Sequence, residues 1–321
     1  MSMQKSRFAV VLATLSCLIF SGNIFAQRQA SSQLEEVIVT AEKREQNLQD
    51  VPLSVSAMDA AALEKTFARD IHDLAGMSPN LIIDPILGSG TVSISIRGMQ
   101  LNDVEKSFDP AVAVYQDGIY LATTTGALLN IWDAERVEVL RGPQGTLFGR
   151  NTIGGLVHVI RSKPTGEFGG KINATFAEDD QEDFKATINF PAFGNLSTKL
   201  TVMDSSGGGY FDNVIRNESE GEADMQMFSV AALWEPTDNF SLHLIYDDID
   251  DDTPTRPVTC TSEFPELFAA GTFLGLPTND FFTAGQCGNK DDEDFHTKTF
   301  TSTRQDASVE VEAITLTANW Q

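Results

Sequence analysis

The stretch from residue 136 to residue 160, RVEVLRGPQGTLFGRNTIGGLVHVI, limits what this chain can fold into more than any other. It opens on an alternating run that puts Val137 and Val139 on one face and Glu138 and Leu140 on the other, and residues 156–160 resume a strand. Between the runs, Gly142, Pro143, Gly145, Gly149, Gly154 and Gly155 are packed too densely for a regular element. Glycine admits backbone conformations closed to other residues and lets two backbones approach closely. The segment therefore predicts two strands joined by a tightly turned connection.

A net charge of -24, from 22 Lys and Arg against 46 Asp and Glu, argues against a nucleic-acid partner. A phosphate backbone is neutralised by cations and repelled by carboxylates. At the amino terminus Lys5 and Arg7 precede an apolar run at 8–20, and a small, polar exit at 21–26 ends on Ala26-Gln27. This is the pattern of a secretory signal peptide over 1–26, its apolar run shorter than the roughly 20 residues of a membrane-spanning helix. Cys17 lies within it, but Thr14-Leu15-Ser16 is a poor context for lipid attachment. No second long apolar helix follows. A mature chain that enters a membrane must then cross it as strands closed into a barrel, since lipid offers backbone groups no partners.

Residues 51–57 read as a strand with Pro52 near its start, where a missing N–H is tolerated. Asp59 is placed to cap a helix over 60–67, and Asp70 a second one to about Ala75. Residues 91–96 alternate and finish on Arg97-Gly98, and 111–120 predict a hairpin turning at Gln116-Asp117-Gly118. Past Pro164 the pattern changes. Runs at 172–176, 184–190, 196–202, 228–234, 240–246 and 314–320 alternate, with aromatics near their ends. That is the dyad pattern of transmembrane β-strands, although a soluble β-sandwich produces similar alternation. Brief turns at 194–195 and 236–239 alternate with long loops at 204–223 and 249–307. In a barrel the brief turns are periplasmic and the long loops extracellular.

Ile94-Ser95-Ile96-Arg97-Gly98 is followed by Val114-Tyr115-Gln116-Asp117-Gly118-Ile119-Tyr120. Then come Glu135-Arg136-Val137-Glu138-Val139-Leu140-Arg141-Gly142-Pro143-Gln144-Gly145-Thr146-Leu147-Phe148-Gly149 and Asn151-Thr152-Ile153-Gly154-Gly155. This ordered series resembles the plug domain of TonB-dependent outer-membrane receptors. The resemblance implies an α+β plug domain over 47–164, followed at 165–321 by part of an antiparallel transmembrane β-barrel. About six strands are present where plugged transporters use about 22, as expected of a fragment or a truncated gene.

Glu36-Val37-Ile38-Val39-Thr40-Ala41 is rich in strand formers and has no neighbouring hairpin partner. From its residues alone it is either an ordinary N-terminal strand or a free edge for another protein's sheet. Its place in the segment 27–46, between signal peptide and plug, matches the family's TonB box. The resemblance thus implies TonB as partner, with ExbB and ExbD behind it, and the short leader leaves no room for the signalling domain of transducing members. Arg97, Arg136 and Arg141 end apolar strands, where a guanidinium is buried only beside a carboxylate. Family members meet the arginines at the positions of Arg97 and Arg141 with glutamates of the inner barrel wall, which implies a plug-to-barrel latch whose carboxylates fall on strands beyond those present. Plain surface arginines are the alternative.

The implied activity is import across a Gram-negative outer membrane, driven by proton-motive force through TonB. The ligand is scarce and small: a ferric siderophore first, with cobalamin, other chelates and oligosaccharides as competitors. It would bind at the extracellular loops and at 100–109 and 121–126 of the plug. No cofactor is implied. A passive outer-membrane β-protein and a nonfunctional remnant are the rival readings. Cys260 and Cys287 share one long loop on the oxidising side of the inner membrane, where a disulfide is the natural state. Asp247, Asp248, Asp250, Asp251 and Asp252 crowd the start of that loop, but the central glycine and closing glutamate of an EF-hand are missing. A solvated acidic loop is expected, one that repels anions and favours cations. His72, His158, His243 and His296 are scattered, and no H-E-x-x-H, nucleophile elbow or P-loop occurs, so no catalysis is expected. His158, inside an alternating strand, is expected in the core or against a wall.

Overall fold

The structure is a computed structural model and describes residues 38–41, 43–44, 46–66, 68, 70–85, 91–100, 109–122, 131–213, 216–254, 260–262, 272–273, 276–277, 287–289, 298–299 and 308–320. The expected signal peptide, Glu36, Val37 and most of the segments 100–109 and 121–126 lie outside these residues.

The first half holds β1 (Ile38–Val39), β2 (Gln46–Asn47), β3 (Val55–Asp59), β4 (Leu81–Pro85), β5 (Val92–Ile96), β6 (Val112–Gln116), β7 (Ile119–Leu121), β8 (Ala134–Arg141) and β9 (Gly155–Arg161). One sheet runs in the order β3, β8, β9, β6, β7, antiparallel except where β6 lies beside β9, and β4 pairs separately with β5. The alternation of β8 decides which residue enters which core. Val137 and Val139 join Val157 and Val159 against Leu63, Ile71 and Ile83, while Leu140 turns the other way to meet Leu156, Tyr115 and Phe148. Gly155 shows why the connection is built of glycine: its φ is +142°, and a Cβ there would lie 2.1 Å from the Leu140 carbonyl oxygen.

Asp59 caps the helix Ala60–Lys65 by accepting from the Ala62 N–H at 2.7 Å, and Asp70 accepts from the His72 N–H at 2.8 Å. The first helix stops short of residue 67, where the Thr66 hydroxyl bonds back to the carbonyls of Ala62 and Leu63. The second is only a 3-10 turn, Ile71–Leu74. The strand expected from residue 51 begins at Val55: Pro52 removes a ladder donor, and Val51 and Leu53 pack into the core cluster around Leu140 instead.

In the second half β10 (Gly169–Phe176), β11 (Glu182–Phe193), β12 (Leu196–Gly207), β15 (Ala223–Thr237), β16 (Phe240–Asp251) and β22 (Val309–Trp320) form one antiparallel sheet in that order. Short strands lie in its loops: β13 (Phe211–Asn213), β14 (Glu218–Glu220), β17 (Cys260–Ser262), β18 (Thr272–Phe273), β19 (Leu276–Pro277), β20 (Cys287–Asn289) and β21 (Lys298–Thr299). The register sets Leu244 beside Leu316 and Tyr246 beside Ile314. Ile314 and Leu316 are 73% and 60% exposed, whereas Thr315 and Ile245, on the opposite face, are buried. One face is thus an apolar outer surface. The other packs on the first half. The strands reach further than the alternation suggests, taking residues 204–207, 223 and 249–251 from the expected loops.

Candidate functional site

The N-terminal segment is already engaged. Ile38 pairs with Asn47 and Val39 with Gln46, and the Val39 and Ala41 side chains are fully buried beside Leu140 and Leu156. The Thr40 N–H donates to Glu138 Oε1 at 2.7 Å and its hydroxyl donates at 3.1 Å, while Arg136 Nε donates to the same oxygen at 2.9 Å. The expectation of an unpartnered edge is therefore corrected for Ile38 and Val39. The physical reason is Glu138: a carboxylate with no exposed surface requires charged and N–H donors around it, and Arg136 and Thr40 supply them. Its other oxygen, Oε2, has no hydrogen-bond partner among the described residues, and the same holds for Nδ1 of His158, its cross-strand neighbour. His158 Nε2 accepts from the Gly118 N–H at 2.9 Å, and burial holds this imidazole below its ordinary pKa.

The carboxylates implied to meet Arg97 and Arg141 fall on strands beyond those present. Arg97 is exposed, at φ +56°, with its guanidinium over Gly142. Arg141 is half-buried and its Nε has no partner among the described residues. Neither forms an ion pair there, and among the described residues other charges also join the two halves. Arg161, at the end of β9, donates from Nε to Asp117 at 2.6 Å and from Nη1 to Asp247 of β16 at 2.7 Å. Its backbone N–H also reaches Asp117, and Ser229 of β15 donates to Asp247 at 2.6 Å. Burial opposes the guanidinium charge, but the carboxylates of Asp117 and Asp247 outweigh it and lift the pKa further above its usual value. A second contact pairs Lys199 of β12 with Asp133 at 2.5 Å, Ser162 Oγ donating to the same carboxylate at 2.8 Å. A third sets Lys171 of β10 on the Trp132 carbonyl at 2.6 Å, 4.2 Å from the Trp132 ring centroid.

Residues 47–156 match the family described as TonB-dependent Receptor Plug Domain. Residues 47–156 are a TonB-dependent receptor plug domain. The chain is 30% identical to the iron-regulated outer membrane virulence protein of Vibrio cholerae over 202 residues, 60% of this chain and 30% of that protein. It is 27% identical to the vitamin B12 transporter BtuB of Vibrio vulnificus over 212 residues, 64% of this chain and 33% of that one. The chain spans about a third of the length of these curated relatives. The crystal structure of the ferric yersiniabactin uptake receptor FyuA from Yersinia pestis matches with a TM-score of 0.66 at 19% identity, over 84% of this chain and 38% of that one, which shows the shared fold.

Within this plug the structure brings together Asp117, Gly118, Arg136 and Glu138 from the sequence motifs, and adds Asp133, Arg161 and Ser162 and, from the wall, Lys199, which no motif marked. Asn151 bonds Asp109 at 3.0 Å and the Tyr120 hydroxyl at 2.7 Å, fixing the plug's glycine-rich connection against the β6–β7 hairpin. Cys260 and Cys287 are opposite one another where β17 runs parallel to β20.

Proposed function

We propose that this protein is an energised importer of a Gram-negative outer membrane, which moves a scarce small ligand past the plug when TonB engages the N-terminal segment. One observation carries this reading: a TonB-dependent receptor plug is seated by ion pairs on one face of an antiparallel sheet whose other face is apolar. That is the arrangement of a plugged barrel wall facing lipid. Similarity to an iron-regulated outer membrane protein and a vitamin B12 transporter favours a metal chelate as ligand, with a ferric siderophore first. The signal peptide over 1–26 delivers the chain beyond the inner membrane. TonB, energised through ExbB and ExbD, pairs with the edge of residues 36–41. Before it does, β1 must leave β2 and Glu138.

The test is deletion of residues 36–41. Uptake of radioactive iron or cobalt from a panel of ferric siderophores and cobalamin is lost, while binding of the same complex to isolated outer membranes is retained. Undiminished uptake identifies a passive β-protein, and no stable product in outer membranes identifies a remnant.

A further inference from the structure

Between the β6–β7 hairpin of the plug and the inner face of β12, β15, β16 and β22 lies a cavity of about 190 Å³. Its walls are Met203, Met225, Met227 and Ile249 from the sheet, with Ile119 and Leu121 from the hairpin. Ile119 is 46% exposed, an uncovered apolar group on the plug surface. Unbranched thioethers adapt to the shape of what they touch, and an apolar enclosure with a few fixed polar groups is the usual form of a small-ligand subsite. The floor is Asp133, Arg161, Asp247 and Thr201, and Asp251 stands at the side.

The charges give the cavity a sign. Arg161 is already met by Asp117 and Asp247, and Lys199 by Asp133, so neither cation is left to receive an anion. Asp251 adds a carboxylate that no ion pair among the described residues answers. A cleft lined by one sign of charge concentrates the opposite sign and repels its own.

We infer that this cavity is the subsite for an apolar arm of the ligand that ends in a cation, such as an alkylammonium group, which Asp251 receives. The inference rests on the importer reading for the direction of approach, from the end that bears the long loops.

The test needs no knowledge of the natural ligand. Met227→Cys and, separately, Met225→Cys are expressed in outer membranes and treated with trimethylammonium-ethyl or sulfonatoethyl methanethiosulfonate, rates being taken over the protein without the added cysteine. The cationic reagent is favoured at least about tenfold beyond its advantage on a free thiol in solution, and the preference shrinks at about 1 M salt and in D251N. Hexyltrimethylammonium slows the modification and hexanesulfonate does not. A solution-like or inverted rate ratio, no reaction at either cysteine, or protection by the sulfonate overturns the inference. None of these readouts involves energy coupling. A failed deletion test of residues 36–41 leaves this subsite standing, and a failed charge preference leaves the importer standing.

Discussion

Arg161 serves two carboxylates from different halves of the molecule, and its replacement leaves both buried without a countercharge. Arg161→Met is expected to lose about 3 to 5 kcal/mol in denaturant unfolding, and Arg161→Lys, which cannot fork to both, falls between it and the parent. An unshifted midpoint in Arg161→Met would remove the pairing from the account. His158 gives a pH dependence of known sign. Its folded pKa is depressed by burial, so the unfolded chain takes up the proton first, and the stability it contributes is present above about pH 6.5 and lost as pH falls below it. His158→Gln should flatten the decline of melting temperature between about pH 6.5 and 5. Asp117 could be singled out from sequence because it sits in a recognisable turn motif. Asp133, Arg161 and Lys199 could not, since alternation says that a residue faces inward but not which residue it meets. Partners separated by 86 and 66 positions leave no local trace. Asp247 was hidden differently: among so many neighbouring aspartates it looks like loop, although the strand continues through Asp251.

At the scale of elements, the N-terminal strand and the β8–β9 pair respond to single changes. Glu138→Gln keeps an acceptor for Thr40 but removes the charge, and a loss of about 1 kcal/mol should speed tryptic cleavage after Lys43 or Arg44 about fivefold. Cleavage at the parent rate would mean that Glu138 does not hold the strand. Gly155→Ala must move a Cβ off the Leu140 carbonyl, and an expected loss of about 3 kcal/mol or more separates it from the mild Gly145→Ala, where nothing lies within 4 Å. The register that sets Cys260 opposite Cys287 is compatible with a disulfide, which predicts that both thiols resist alkylation until reductant is added. The two faces of β8 were legible from alternation alone, and the caps at Asp59 and Asp70 from side-chain chemistry. The docking of β1 was not, because the group that fixes it lies 98 positions away.

For the whole molecule, the outward face of the wall should be as intolerant of charge as a lipid-facing surface. Leu244→Arg is expected to lose about 2 to 4 kcal/mol in folding into lipid vesicles, with a far smaller effect for an arginine placed at the loop residue Asp238. The order of the plug sheet carries a consequence for biogenesis. β9 is the last plug strand to be made, yet it lies between β8 and β6, the position on which both neighbours depend. A chain threaded across the inner membrane amino-terminus first cannot assemble that sheet until residue 161 has emerged, and the first wall strand begins at Gly169. The plug has almost no interval in which to mature by itself. On the importer reading, chaperones that escort the emerging chain must therefore shelter its unfinished sheet and the first apolar wall strands together.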